Sequence, residues 1–581
     1  MTAVLGLSCY FHDAAAALIV DGQIVAAAEE ERFSRVKHDA SFPNQAARFC
    51  LEQGGINAAE LDCVAFYEQP VTKFGRVITS GISGLPRSGR TLGRAVSRWA
   101  REKIWIESHI ANRIGVHPSK IVYVDHHLSH ASSSFLASPF TDAATLTIDG
   151  VGEWSTATVG RASGDFYSPH RARVHNELSL DFPHSLGLLY SAFTEYLGFE
   201  VNEGEFKVMG MSSYGVPRYR DKIDRLCTLH SDGSLTLDMR YFIFHQSEST
   251  SLGAKFIDLF GAPARDSNAP FGAGESLTSS DRHYADVAAS IQAFCEDAVV
   301  AMAEHAHRNH PSKNLAYAGG VALNGLANRA ILERTPFENL YIPSAPGDSG
   351  GALGAALYAY HGLLGLPRVS VADKADFGRD YSEQAGAVLR DWGLKSTIRT
   401  GDDLIDFVAE EIHSGSVVGW HQGRFEWGPR ALGQRSILAN PTLPEMKDEI
   451  NKKVKFREQF RPFAPAVLSS QADKYFTGPL GQPPARFMQF VVPAREGVPE
   501  SLPAVVHFGT SRVQTVDPDK DQRFADLILA FGELSGHPVL LNTSFNLKGE
   551  PIVATPENSI STFQRSGLDV LVIGDHVITK K

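Results

Sequence analysis

Two stretches, NLAYAGGVALNGLANRAI (314–331) and NLYIPSAPGDSGGALGAAL (339–357), share one plan: an apolar strand breaks at a glycine loop and restarts as a helix. That alternation favours an α/β sheet whose functional site lies beyond the strand ends. Two further segments read as strand, tight turn, strand. AVLGLSC (3–9) leads through a turn carrying His12 and Asp13 into AAALIVDGQIVAAAEEE (15–31), which turns at Asp21-Gly22. ATLTIDGVGEWSTATVG (144–160) repeats the plan around Asp149-Gly150, so an internal duplication is expected. Between them, the basic stretch RSGRTLGRAVSRWAREKIW (87–105) reads as an amphipathic helix with a solvated face. Tyr284, Val287, Ile291, Phe294, Ala298 and Met302 keep helical spacing and mark a buried helix.

At 581 residues the chain exceeds one hydrophobic core. The pattern weakens around 363–388, then resumes with the periodic helix DLIDFVAEEIHSG (403–415). The expected division is a first domain over 1–365, a linker over 366–385 and a second domain over 386–581. A net charge of −11 disfavours nucleic acid and anionic membranes as partners. The five cysteines (Cys9, Cys50, Cys63, Cys227, Cys295) form no C-x-x-C pair, which fits a reducing compartment without a disulfide framework. With no basic leader and no apolar run of spanning length, a cytoplasmic location is expected.

VDHHLSHASSSF (124–135) puts three histidines within five residues, just behind a predicted strand. With Asp125 as N-cap, a helix starts at His126, and His126 and His130 share one face while His127 points elsewhere. Asp149 and Asp348, each beside glycine at a strand end, are candidates to complete a two-histidine, two-carboxylate set for Fe(II), Mn(II) or Zn(II). Gly319, Gly320, Asn324, Gly350 and Gly351 are candidate nucleotide contacts, since bare glycine backbones and helix N-termini suit phosphate oxygens. His12 is a candidate general base, and Lys37, in EEERFSRVKHDASFP (29–43), a candidate anion ligand.

GRFEWGPRALGQRSILANP (423–441) and INKKVKFREQFRPFAPAV (450–467) concentrate cations among glycine, proline and aromatic residues. Arg424, Arg430, Arg435, Lys455, Arg457 and Arg461 suit a phosphate-binding cleft, because guanidinium forks grip phosphates bidentately. In VLLNTSFNLKGEPIV (539–553), Asn542, Thr543, Ser544 and Asn546 follow an apolar strand and suit a nucleotide or a carbamoyl-like group. Arg512 is a further candidate phosphate contact.

With these residues in view, the chain resembles the O-carbamoyltransferases of nodulation-factor and antibiotic tailoring, the family that includes the tobramycin and cephamycin enzymes. The resemblance runs nearly the whole length, through FHDAAAALIVDG, AEEERFSRVKH, HHLSHA, DGVGE, KVMGM, AGGVALN, GDSGGALGAAL, GPRALGQRS, FREQFRPFAP and NTSFNLKGEPIV. It implies a duplicated actin-like ATPase (ribonuclease H-like) domain followed by a YrdC-like α/β domain. It implies that His126, His130, Asp149 and Asp348 hold iron, Fe(II), or another divalent metal. The second domain would make carbamoyl adenylate from carbamoyl phosphate and Mg-ATP, using Lys455 with Arg424, Arg430, Arg435, Arg457, Arg461, Arg512, Asn542, Ser544, Asn546 and Lys548. Lys548 stands where arginine is usual in that run. The first domain would bind the adenylate through Lys207, Gly210, Gly319, Gly320, Asn324 and Gly350. There it would pass the carbamoyl group to a hydroxyl of a small acceptor, with His12 as base and Lys37 as a ligand-binding lysine. A tRNA threonylcarbamoyl-type transferase, a sugar kinase and a non-catalytic nucleotide-binding module are the competing readings. The acceptor and the oligomeric state stay open, a homodimer being one option.

Overall fold

The computed structural model describes residues 1–85, 88–101, 104–247, 250–272 and 277–580. It divides into two compact units, Met1–Val25 with Ser41–Val371, and Ala26–Ala40 with Ala372–Lys581.

Strands β1 (Ala3–Ser8), β2 (Ala15–Val20), β3 (Gln23–Glu29), β4 (Cys63–Phe66) and β5 (Ile121–Tyr123) form a sheet in the order β3-β2-β1-β4-β5; of β3, residues 23–25 are counted in the first unit. Strand β2 runs antiparallel to β1, while β4 and β5 join in parallel. A second sheet contains β6 (Asp142–Ile148), β7 (Ser155–Ser163) and β8 (Arg173–Asp181). After the small hairpin of β9 (Cys227–Leu229) and β10 (Leu235–Leu237), it is completed by β11 (Asn314–Ala318) and β12 (Asn339–Tyr341) in the order β12-β11-β6-β7-β8. Its β6–β7–β8 meander is antiparallel, and β11 and β12 add in parallel. The two sheets thus repeat one strand order. The expected duplication is present as an actin-like α/β architecture, and the two equivalent hairpin turns carry His12 and Asp149. Of the basic stretch 87–105, the helix Gly89–Arg101 is seen; residues 87, 102 and 103 lie outside the described residues.

The Asp348–Leu357 helix (DSGGALGAAL) is buried along its whole length. Its small residues are required by contact: a Cβ placed on Gly354 would sit 1.9 Å from the carbonyl oxygen of Ser129. Likewise, a Cβ on Gly6 of β1 would sit 1.9 Å from the carbonyl oxygen of Ala352. The helix is therefore wedged between β1 and the His126–Phe135 helix. Gly354→Ala must push two helices apart, and we expect it to cost about 3 kcal/mol, at the upper end for overpacking. Urea unfolding checks this; an unchanged midpoint would refute the wedge.

The second unit has strands β13 (Thr397–Ile398), β14 (Val418–His421), β15 (Arg435–Ala439) and β16 (Ala464–Leu468), then the separate pair β17 (Val491–Pro493) and β18 (Thr510–Arg512). With β19 (Gln514–Val516), β20 (Val539–Ser544), β21 (Val570–Ile573) and β22 (His576–Thr579), the main sheet runs β13-β22-β21-β14-β15-β20-β16-β19. The helices Gly401–His413 and Gln522–Ser535 bury Leu404, Val408, Ile412, Phe524, Ile528 and Phe531 against Val418, Trp420, Leu438 and Val572. The sequence reading placed residues 26–40 in an uninterrupted first domain. They belong to the second unit because buried Arg32 donates to the carbonyl of Gly428 at 2.6 Å and Gly428 N–H donates to Glu29 at 2.8 Å. Arg35 adds bonds to the carbonyls of Ile552 and Pro551 at 2.7 and 2.8 Å.

Candidate active site

In the first unit, the His126–Phe135 helix follows β5 and brings its first turn to Asp149, after β6, and to Asp348, at the start of the Asp348–Leu357 helix. Asp125 occupies the N-cap position, but its side chain makes no capping bond. Glu153, from DGVGE, does that work instead: its carboxylate accepts the His126 N–H at 3.0 Å and the Gln69 N–H at 2.7 Å. An acid at a helix N-terminus is favoured by the exposed N–H groups and the helix dipole. Sequence reasoning missed Glu153, although an acid directly behind a G-x-G turn was the available signal.

The four expected ligands converge. Nε2 of His126 and of His130 lie 3.0 and 3.1 Å from Asp149 Oδ2, and 3.1 Å from each other. Asp348 Oδ1 is 3.6 and 3.5 Å from the same two nitrogens. Bonds of about 2.1 Å to one ion place neighbouring donors about 3.0–3.4 Å apart, so these separations suit a single divalent cation. Both histidines and Asp348 are buried, and Asp348 Oδ2 has no hydrogen-bond partner. Burial lowers the His130 imidazole, yet the carboxylates of Asp149 and Asp348 outweigh it and hold it at about 9. The donor set is therefore electron-rich and starved of positive charge.

The shell behind these ligands is specific. Asp149 Oδ1 accepts from Gly150 N–H at 2.8 Å and Gly320 N–H at 3.3 Å, which aims Oδ2 at the histidines. A Cβ on Gly152 would lie 2.8 Å from His126 Cδ2 and 3.0 Å from His127 Cδ2, so only glycine lets the hairpin approach both rings. His127 is no ligand. Its Nδ1 meets Thr147 Oγ1 at 2.7 Å and its Nε2–H donates to the carbonyl of Ser155 at 2.8 Å. Burial pushes it down to about 3, so it stays neutral and bolts the helix to the β6–β7 hairpin.

His12 stands beside the cluster, with Nδ1 3.0 Å from Asp13 and Nε2 3.9 Å from Asp348 Oδ2. Burial lowers it, but Asp348 and Asp13 raise it further, to about 9. Among the other candidates, Gly319 has φ +101° and would press a Cβ to 2.3 Å from the carbonyl oxygen of Ile148. A Cβ on Gly350 would meet the carbonyl oxygen of Ala345 at 1.9 Å. Asn324 caps the Gly325–Arg334 helix and exchanges amide hydrogen bonds with Gln292 at 3.0 and 3.1 Å. Lys207 and Gly210 lie in the Glu205–Ser212 helix, with Lys207 Nζ 5.6 Å from the centre of the Phe199 ring.

The second unit gathers cations. Lys455 is buried and donates to the carbonyl of Ser544, to the carbonyl of Asn546 at 3.1 Å and to Asn546 Oδ1 at 2.9 Å. The NTSFN run thus holds the lysine of KKVKFREQF. Burial drives Lys455 well below the usual lysine range, helped by Arg457, Arg461 and Lys37. Burial, then Arg461, lowers Arg430 to about 10; Arg512 falls by burial and by Arg430. Arg430 Nε is buried with no hydrogen-bond partner. Lys37 belongs here by position in the fold as well, in Ala26–Ala40. Like charges brought together at such cost suit a polyanion chemically.

Other candidates have braced positions. Arg435 is fully buried and spends its guanidinium on the carbonyls of Gln422, Gln434, Gly423 and Ala554. Arg424 donates to the carbonyls of Gly378 at 2.6 Å and Phe377 at 3.1 Å. Asn542 donates to Gln514 Oε1 at 2.7 Å and to the carbonyl of Ala431 at 3.2 Å. Lys548 is exposed, 3.9 Å from Glu458. Glu426, which the sequence did not single out, accepts from Leu432, Gln434 and Arg435 N–H groups at 2.8, 2.8 and 3.1 Å and shapes the GPRALGQRS loop.

A family model described as the carbamoyltransferase N-terminus matches residues 3–357, and one described as the carbamoyltransferase C-terminus matches 409–580. An uncharacterized protein of Synechocystis, sll1178, is 41% identical over 100% of this chain and 97% of its own length. Nodulation protein NolNO of Sinorhizobium fredii is 36% identical over 98% of this chain and 79% of its own, and nodulation protein U of the same organism 29% identical over 93% and 92%. Among the described residues, no helix is long and apolar enough to cross a membrane.

Proposed function

The chain belongs to the carbamoyltransferase family, and from that premise we propose an O-carbamoyltransferase that works in two steps at two sites. In the second unit, water cleaves carbamoyl phosphate to carbamate and phosphate; a carbamate oxygen then bonds the α-phosphorus of ATP as the α–β phosphoanhydride bond breaks, giving carbamoyl adenylate while pyrophosphate leaves with the electron pair. Arg430, Lys455, Arg457, Arg461 and Arg512 bind and orient the phosphates, and their mutual repulsion is relieved as the anions arrive. Lys455 is the point charge fixed at the end of β20. In the first unit, the hydroxyl oxygen of a small acceptor attacks the carbamoyl carbon, the bond from that carbon to the AMP oxygen breaks, and AMP leaves with the electron pair. His12 takes the hydroxyl proton at Nε2 while Asp13 fixes Nδ1. Its carboxylate neighbours hold it protonated until their charge is offset. A divalent cation held by His126, His130, Asp149 and Asp348, with Fe(II) as the favoured ion, would supply that offset and stabilise charge developing at the reacting carbonyl.

The observation that carries this reading is that one chain holds two sites of opposite sign: a carboxylate–imidazole set with His12 beside it, and a buried cation cluster around Lys455. Mass spectrometry of the protein with ATP, carbamoyl phosphate and a panel of alcohols tests it. A carbamoyl mass gain on one alcohol, dependent on both co-substrates, is expected. ATP consumed without carbamoyl phosphate would overturn the reading in favour of a kinase.

A further inference from the structure

The run KVKFREQFRPF (453–463) carries three phenylalanines, and the fold treats one of them differently. Phe460 and Phe463 are buried, at 1% and 3% exposure, whereas Phe456 is 51% exposed. Among the described residues no other ring or cation stacks on it; the Arg457 guanidinium lies 4.6 Å from the centre of the Phe463 ring instead. The backbone is bent to present Phe456. It ends the helical turn Ile450–Lys455 in the left-handed region, with φ 48° and ψ 47°. Glycine or asparagine usually takes that place, and a bulky residue holds it only where neighbours enforce it. Buried Asn451 does so. Its carbonyl accepts the N–H groups of Phe456 and, at 3.1 Å, of Arg457, and its Oδ1 accepts Arg457 Nε at 2.7 Å. An apolar ring is thus both exposed and strained, one residue, about 3.8 Å along the chain, from Lys455 and from Arg457.

We infer that Phe456 is the platform on which the purine base of the nucleoside triphosphate stacks while the flanking cations hold its phosphates. This rests on the two-step transferase reading and names the residue that seats the base. The cations around Lys455 suit phosphate oxygens and do not read a base; an open π-face beside them supplies that contact. Stacking reads the area of a base and not its edge, so a purine holds better than a pyrimidine. A stacked base also takes out of water the apolar surface that the free protein leaves open.

Fluorescence of the intact Phe456→Trp protein tests this, since a stacked base quenches an indole. ATP is expected to lower emission beyond the wild-type response, at concentrations at least fivefold below those CTP needs. Tripolyphosphate, which has no base, is expected to leave the added emission unchanged and to reverse the ATP quench by competition. No loss beyond wild type with ATP, equal potency of CTP, or the same loss with tripolyphosphate would overturn the platform. Phe456→Asn is the second variant, because asparagine suits the left-handed backbone and carries no ring. Its urea midpoint is expected to match or exceed that of wild type, while KM for ATP in pyrophosphate release rises about tenfold. An unchanged KM in folded Phe456→Asn would equally sink the inference. The two readings fail separately: a carbamoyl mass gain without the quench removes only the platform, and a quench without the mass gain removes only the transferase.

Discussion

Replacing His130 by alanine is expected to strip the first unit of the divalent metal proposed for it and to cut transfer from supplied carbamoyl adenylate by at least about a thousandfold. The reasoning starts from position: His130 is fully buried, and its Nε2 is 3.1 Å from both His126 Nε2 and Asp149 Oδ2 and 3.5 Å from Asp348 Oδ1. Removing it takes out one of four donors and leaves buried Asp348 and half-buried Asp149 facing less positive charge, a costly arrangement. Loss of an outer-shell partner alone typically costs about 10–100-fold in metal affinity or activity, and loss of a direct ligand should exceed that. Asp348→Asn, which keeps shape and removes charge, is the companion variant and should lose metal as well. Elemental analysis of chelator-free protein gives the metal content, and near-UV circular dichroism shows whether the fold survives. Folded His130→Ala protein with undiminished metal and undiminished transfer would end the metal-site assignment.

The members of that cluster were legible one by one as candidates from local signals, while their convergence came only from the family resemblance. His126 and His130 are one helical turn apart, Asp149 stands beside glycine at the end of β6, and Asp348 stands beside glycine at the start of the Asp348–Leu357 helix. The duplicated strand plan was visible for the same reason, since turn residues at Asp149-Gly150 and alternating apolar strands are local features. What was not legible is whatever depends on long-range closure. The resemblance implies Lys37 as a ligand-binding lysine of the first domain, but the Ala26–Ala40 segment is claimed by the second unit through Arg32, Arg35 and Glu29. Arg435 looks like its neighbour Arg430 in composition, and only the carbonyls that surround it reveal a brace instead of a ligand. Glu153 and Glu426 accept from backbone N–H groups of distant or looped residues; the G-x-G turn before Glu153 marks the acid, but no spacing rule names the N–H groups it reaches.

Lys455→Ala is expected to abolish pyrophosphate release from ATP and carbamoyl phosphate, by about a thousandfold or more, yet leave transfer from supplied carbamoyl adenylate nearly intact. The lysine is 3% exposed and spends its protons on the carbonyl of Ser544 and on Asn546, so its ammonium is held in one place. Burial, followed by Arg457, Arg461 and Lys37, pushes it well below the usual lysine range. An anion bound among these groups reverses that bias by favouring the charged form, which is the differential interaction a phosphoryl-binding residue supplies. Lys455→Arg should not restore activity, because a planar guanidinium cannot place its charge on the carbonyl and amide oxygens that receive a compact ammonium. Measured side by side, pyrophosphate release and adenylate-fed transfer separate the two units. Loss of only the first locates activation at Lys455; loss of both in folded protein, or of neither, would contradict the division of labour between the cation cluster and the histidine–aspartate site.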